Sequence, residues 1–257
     1  MPPEILETVG LTKRFGGLVA LDNVDVKVLR RTLTLLIGPN GAGKTTLVNV
    51  CTGVLKPDAG KVYFSPLDDE RLDITGWPSH KIYSAGLVRT FQIPRPFLSL
   101  TVLENVLVAM GGNEEGPLKA LFRRLWIRQE EERIKRAFDV LRLVGLEGVW
   151  NVQALKLGAG HLKMLEVARA LAAGAKLVVL DEPIGGTDPA YAVGIFEKLR
   201  SLREKIDVSF LIIEHRIDVA LRYSDYVYVM DRGRILSEGS PEKVVNDSRV
   251  IEVYLSG

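Results

Sequence analysis

The sequence predicts an α/β protein built on a mostly parallel sheet with helices on both faces. Three features point there. Leu33–Ile37, Leu177–Leu180 and Val208–Ile213 are short apolar runs of the length of buried strands. Amphipathic helical segments, Lys44–Thr52 and Ala190–Glu204, follow the first two runs. A glycine-rich loop joins the first run to its helix, giving strand, loop and helix in series. Strands and helices that alternate in this way wind into a parallel sheet covered on both sides.

The remaining elements fall in order along the chain. Ile5–Val9 and Val24–Val28 alternate apolar and polar residues as strands do, and Lys61–Phe64 follows a Pro57-Asp58-Ala59-Gly60 turn. From about Thr101 to Val167 the pattern is helical, with Leu118, Leu121, Phe122, Leu125 and then Ile134, Phe138, Leu141 at spacings of three and four. The charged stretch Arg123–Arg136 reads as a solvated helix face with Glu-to-Arg pairs. After the Ala190–Glu204 helix and the Val208–Ile213 strand come a helix at Ile217–Arg222 and strands at Tyr226–Met230 and Arg234–Ser237. There is no internal repeat, low-complexity tract or long linker.

Composition narrows the function. With 34 Lys and Arg against 32 Asp and Glu the net charge is +2, too balanced for a nucleic-acid binder, and no basic patch stands out. Cys51 is the single cysteine, so no internal disulfide forms and a reducing compartment fits; its apolar neighbours make it a small buried hydrophobe. The N-terminus has neither the basic start nor the apolar core of a signal peptide, and no apolar run approaches the ~18 residues that cross a bilayer. Direct membrane insertion is therefore not expected, and any membrane association comes through a partner.

Two motifs carry the chemistry. Gly38-Pro39-Asn40-Gly41-Ala42-Gly43-Lys44-Thr45-Thr46 contains the P-loop pattern between an apolar strand and a helix. Its glycines let successive N–H groups face one anionic centre, and the helix that begins there adds the positive end of its dipole. Lys44 can reach the β- and γ-phosphates and the Thr45 hydroxyl can ligate Mg²⁺. The second motif, Leu177-Val178-Val179-Leu180-Asp181-Glu182-Pro183, places two carboxylates at the end of a buried strand, where α/β sheets place ligand sites. Taken alone it equally describes a turn. Beside a P-loop, Asp181 becomes a candidate for holding Mg²⁺ through water, and Glu182 for polarising the attacking water as general base.

In these motifs and their order the chain resembles the ATP-binding subunits of ABC transporters over nearly its whole length. Phe15, the P-loop, Gln92 in Arg89-Thr90-Phe91-Gln92, a helical insertion, a signature region, the acidic pair and Glu214-His215 follow one another as in that family. Within it the chain is most similar to the ATPases of branched-chain amino acid importers, through Gly86–Gln92, Leu100–Val106, Ile213-Glu214-His215 and the terminal Tyr254-Leu255-Ser256-Gly257. The resemblance implies a P-loop NTPase core at 1–93 and 166–257, with an N-terminal antiparallel β subdomain and an inserted helical subdomain at about 94–165. It implies Mg²⁺-dependent ATP hydrolysis that powers import, with ATP and Mg²⁺ bound and transmembrane permease subunits as partners, and a cytoplasmic protein held at the inner membrane face by them. Phe15 would stack on adenine, Gln92 would couple the Mg²⁺–water site to the permease, and His215 would hydrogen-bond the γ-phosphate. Taken alone, Phe15 reads as packing and His215 as an ordinary surface or core histidine. Asp188, in Gly185-Gly186-Thr187-Asp188-Pro189, falls where the family's loop crosses a dimer interface, and an Asp-Pro helix start explains it equally well. Arg89–Glu104 is the expected docking surface, although Phe91, Ile93, Phe97, Leu98 and Leu100 suit core packing as well. A soluble ABC ATPase acting on ribosomes or DNA, or an ATP-gated scaffold, are the competing readings. The first usually carries two cassettes or a long coiled-coil insertion, which this chain lacks; intact Glu182 and His215 argue against the second.

One stretch departs from the family. Where a Leu-Ser-Gly-Gly-Gln signature opens a helix, this chain has Leu157-Gly158-Ala159-Gly160-His161. Gly158 lacks the hydroxyl that would reach the γ-phosphate, a charge-assisted bond worth about 1.5–3 kcal/mol; the helix amides stay. The resemblance also implies a head-to-tail dimer in which each site takes its P-loop from one chain and its signature from the other. Gly158, Ala159 and Gly160 would then serve the partner's nucleotide, and a heterodimer with one weakened site is expected.

Overall fold

Alternation at the N-terminus extends further than the short runs suggest. β1 (Glu4–Phe15) and β2 (Leu18–Leu29) pair antiparallel over their length, with irregularities in register between Glu4 and Arg14. These bulges keep Leu6, Leu11, Leu21, Val24, Val26 and Val28 buried along two twelve-residue strands. The computed structural model describes residues 3–111 and 123–255, which fall into two compact units, Met1–Gln92 with Lys176–Gly257, and Ile93–Ala175.

In the first unit the fully buried β3 (Leu33–Ile37) runs through the glycine loop into α1 (Lys44–Cys51). β4 (Ala59–Phe64) and β5 (Leu72–Asp73) complete a four-stranded antiparallel sheet ordered β2-β1-β4-β5. α2 (Ser79–Ser84) then leads to β6 (Leu87–Arg89), a strand too short to show a period in sequence.

The second unit is helical. α3 (Val102–Ala109) opens with a capping box in which the Thr101 side chain accepts from the Glu104 amide and Glu104 reaches back. It packs with α4 (Arg123–Val144) and α5 (Ala159–Ala172) around Val106, Leu141 and Leu165. Of the expected helical stripe, Leu118, Leu121 and Phe122 lie outside the described residues. Phe138 meets Trp150 edge-on and Leu141 is buried, whereas Ile134 is exposed. Glu130–Arg133 and Glu132–Arg136 pair along α4. All of α5 belongs to this unit, so the chain changes unit after Ala175 and not near 165.

The first unit resumes with β7 (Leu177–Asp181), α6 (Pro189–Lys205), β8 (Ser209–Ile213), α7 (Ile217–Ala220), β9 (Tyr226–Asp231), β10 (Arg234–Gly239), α8 (Pro241–Val245) and α9 (Ser248–Leu255). A six-stranded sheet forms in the order β10-β9-β3-β8-β7-β6, parallel except where β10 turns back along β9. β8 lies between β3 and β7, so the carboxyl ends of these strands emerge side by side, where such sheets place their ligands. Cys51 is buried, and desolvation pushes its thiol up to about 12, which makes it inert as the apolar context predicts.

Candidate nucleotide site

The loop after β3 is shaped by glycine where it must be. Gly38 sits at φ 147, and a Cβ there would lie 2.1 Å from the Met230 carbonyl oxygen; Gly43, at φ 104, would meet the Ala20 carbonyl at 2.6 Å. Only glycine takes these positions without moving the backbone. The loop is also tied from outside, since Gly233 N donates to the Ala42 carbonyl at 2.9 Å. Lys44 folds back over it and donates through Nζ to the carbonyls of Gly38 and Pro39 at 2.7 and 2.9 Å. Burial lowers the Lys44 pKa, a shift opposed by the Glu182 and Asp181 carboxylates. An ammonium held in this way gains most from a strong anion at its side.

The two carboxylates at the end of β7 are separately held. Arg89 at the end of β6 donates to Asp181 Oδ2 at 2.6 Å and, through its other arm, to Asn49 of α1. Glu182 takes the left-handed region at φ 49, which costs a non-glycine residue about 1 kcal/mol. Its backbone is fixed there by its own N–H donating to Ile213 and its carbonyl accepting from Gly185. Its side chain is fixed as well: Gln92 Nε2 donates to Oε2 at 2.7 Å and His215 Nε2 stands 3.0 Å from Oε1. Behind them, buried Glu214 accepts from Ile184 N at 3.1 Å through one oxygen and from His215 N and Arg216 N at 2.8 and 3.1 Å through the other. It thereby locks the loop after β8 to the loop after β7.

Phe15, Asn40–Thr46, Asp181, Glu182 and His215 line one cleft of about 550 Å³; Lys44 ties Gly38 and Pro39 to it, and Gln92 reaches it through Glu182. Phe15 is half exposed, with the Lys13 ammonium 5.6 Å from its ring centroid, so it is a wall of the cleft and not core packing. Asp188 is exposed at the head of α6 and is not among the residues lining the cleft. Gly158, Ala159 and Gly160 belong to the second unit, at the N-terminus of α5, where no side chain caps the helix. Phe91, Ile93, Phe97 and Leu98 are about half exposed or more, so core packing does not account for them. Arg89 and Glu214 stand in the sequence only as neighbours of Gln92 and His215, and their own roles come from partners across the sheet; Arg232, which also lines the cleft, carries no signal in the sequence.

Residues 21–185 match the ABC transporter family, and residues 234–255 match the family described as branched-chain amino acid ATP-binding cassette transporter. The chain is 45% identical to a probable branched-chain amino acid transport ATP-binding protein, LivG, of Archaeoglobus fulgidus, over 98% of this chain and 95% of that one. Among solved structures it is similar to the ATP-binding cassette MJ1267 in its ADP conformation, with a TM-score of 0.85 and 43% identity over 99% of this chain and all of that one. It is also similar to the dimeric cassette MJ0796, with a TM-score of 0.71 and 26% identity over 92% and 98% of the two chains. With the glycine loop, the paired carboxylates and the histidine in one cleft, the chain belongs to the ABC transporter family and is a nucleotide-binding ATPase subunit.

Proposed function

We propose that the chain powers the import of branched-chain amino acids, bound to the inner face of the membrane by transmembrane permease subunits. The similarity to the named importer ATPase and the match of residues 234–255 support the cargo. No helix among the described residues is long and apolar enough to cross a membrane, so the permease supplies the anchor. Residues Arg89–Glu104, with Phe91, Ile93, Phe97 and Leu98 exposed, form the surface it meets.

The observation that carries the chemistry is the clamp on Glu182. Gly38–Thr46 amides and Lys44 hold the phosphates of ATP, and Phe15 stacks on the adenine. The oxygens of Thr45, Asp181 and Gln92 are hard donors of the kind Mg²⁺ accepts, and Mg²⁺ would neutralise charge on the β- and γ-phosphates. Glu182, oriented by Gln92 and His215, takes the proton of the attacking water, and His215 donates to the γ-phosphate as charge develops there. The second cassette is a different ATPase, arranged head to tail. To its nucleotide this chain offers Gly158, Ala159 and Gly160, with Asp188 at the interface.

Leucine uptake into vesicles carrying the permease, this chain and its partner cassette tests the reading. Uptake should require ATP inside the cytoplasmic compartment and stop with Lys44→Ala. Uptake that continues without ATP or with that variant rules the proposal out.

A further inference from the structure

A second cavity, of about 620 Å³, lies in the first unit and shares no lining residue with the nucleotide cleft. It opens where β2, at the edge of one sheet, runs beside β10, at the edge of the other, and Lys243 of α8 and Arg249 of α9 complete its wall. The volume is that of a small-molecule site. Charges of both signs line it. Arg234 is already paired, donating through Nε to Asp22 Oδ2 at 2.8 Å, and Arg249 donates to Asp247 through Nε and Nη2 at 3.0 and 2.6 Å. Asp25 accepts from the Gly10 amide at 2.6 Å. Glu238 and Lys243 differ: both are exposed, and among the described residues neither side chain makes a hydrogen bond or ion pair. One uncommitted carboxylate and one uncommitted ammonium thus share a cavity with the half-buried Ile235 and Leu236. That set complements a zwitterion with an apolar side chain, its ammonium on Glu238 and its carboxylate on Lys243.

Two segments run from this cavity to the nucleotide cleft. On β2, Leu18, Val19 and Ala20 line the cleft while Asp22, Asn23 and Asp25 line the cavity; in the turn before β10, Arg232 lines the cleft and Arg234 the cavity. Gly233, between those arginines, is bonded on both sides at 2.9 Å: its carbonyl accepts from Asp22 N, and its N–H donates to Ala42 of the phosphate loop. The Asp22–Arg234 pair clasps the same turn, so a ligand carboxylate that draws Arg234 away from Asp22 loosens the turn and its hold on Ala42. We propose that the cavity is an effector site for an α-amino acid with an aliphatic side chain, and that its occupancy weakens ATP binding in the cleft. Every lining residue outside β2 falls within 234–255, the stretch that matches the branched-chain amino acid cassette family, and no residue lining the nucleotide cleft does. The choice of an amino acid over other zwitterions rests on the import reading.

Calorimetry of the full chain with L-leucine tests it. Saturable binding at one site per chain is expected, weakened about tenfold by Glu238→Gln and by Lys243→Gln, the worth of one charge-assisted bond. Isovalerate, which lacks the ammonium, and isoamylamine, which lacks the carboxylate, should each bind about tenfold more weakly than leucine. At saturating leucine the dissociation constant of ATP with magnesium should rise about fivefold, and saturating ATP should raise that of leucine by the same factor, as linkage requires. No saturable binding, isovalerate as good as leucine, or ATP affinity unmoved by bound leucine each overturns the proposal. In vesicles carrying the assembled transporter, Glu238→Gln should leave the initial rate of leucine uptake unchanged and lift its slowing by leucine on the cytoplasmic side. If the purified chain binds leucine but the vesicles take up none, the cargo reading fails and the site stands. If uptake proceeds while the purified chain binds no leucine, only the site fails.

Discussion

Glu214 and Arg89 touch the chemistry only through their neighbours, and both give large expected effects. Glu214 is buried and meets three backbone N–H groups, so Glu214→Ala leaves them without acceptors. Stability to urea should fall by roughly 3 kcal/mol, and ATP turnover should fall too because the Glu182 and His215 loops lose their shared tie. Arg89 sits with Asp181 in a pair whose side chains are 20% and 12% exposed. Arg89→Met should cost about 2 kcal/mol and shift turnover to higher magnesium concentration, since Asp181 is then free to swing. A magnesium titration of phosphate release checks it, and an unchanged midpoint counts against the role of Asp181. At this scale the sequence is readable where residues act together locally. Gly38–Thr46 and Asp181-Glu182 announce themselves by spacing, whereas Arg89 is 92 residues from Asp181 and Glu214 is 30 from Ile184. Contacts of that separation are made by strand order, which no local window contains.

At the scale of elements, α5 and α9 carry the two clearest expectations. A Cβ added at Gly158 meets nothing within 4 Å, so a serine fits at the head of α5 without rearrangement. Restoring the family's pattern with Gly158→Ser and Ala159→Gly should raise ATP turnover of the assembled pair about tenfold, the worth of one charge-assisted bond. No change would mean that the helix amides alone serve the partner's nucleotide. On α9, the Arg249 side chain, with Ser237, holds the Asp247 carboxyl well below the usual carboxylate range. A depressed native pKa stabilises the fold above the unfolded value of about 4 and loses that effect as pH falls through it and below. The midpoint difference between wild type and Asp247→Asn should therefore be full at pH 7 and shrink towards pH 3. A difference that grows on acidification contradicts the assignment. The strands of the parallel sheet were legible as apolar runs because both their faces are buried. β6 was not, since three residues show no period and pair only because β7 lies beside them. The true ends of β1 and β2 were hidden by bulges that break the alternation.

For the whole molecule, strand order and the return of the chain after Ala175 bring residues from five separate segments to one cleft. Family resemblance supplied this arrangement at the sequence level; periodicity alone gives an α/β fold without saying which strand ends meet. It also led to a change of unit near 165, because the pattern of α5 is the same whichever unit owns the helix. The most direct measurement is phosphate release and ATP retention by the transporter assembled with Glu182→Gln in this chain, with magnesium present. The account predicts that ATP is retained within about threefold of wild type while release at the site that depends on Glu182 falls by roughly 10²–10³. Release at that site unchanged from wild type, or loss of ATP along with turnover, would contradict it.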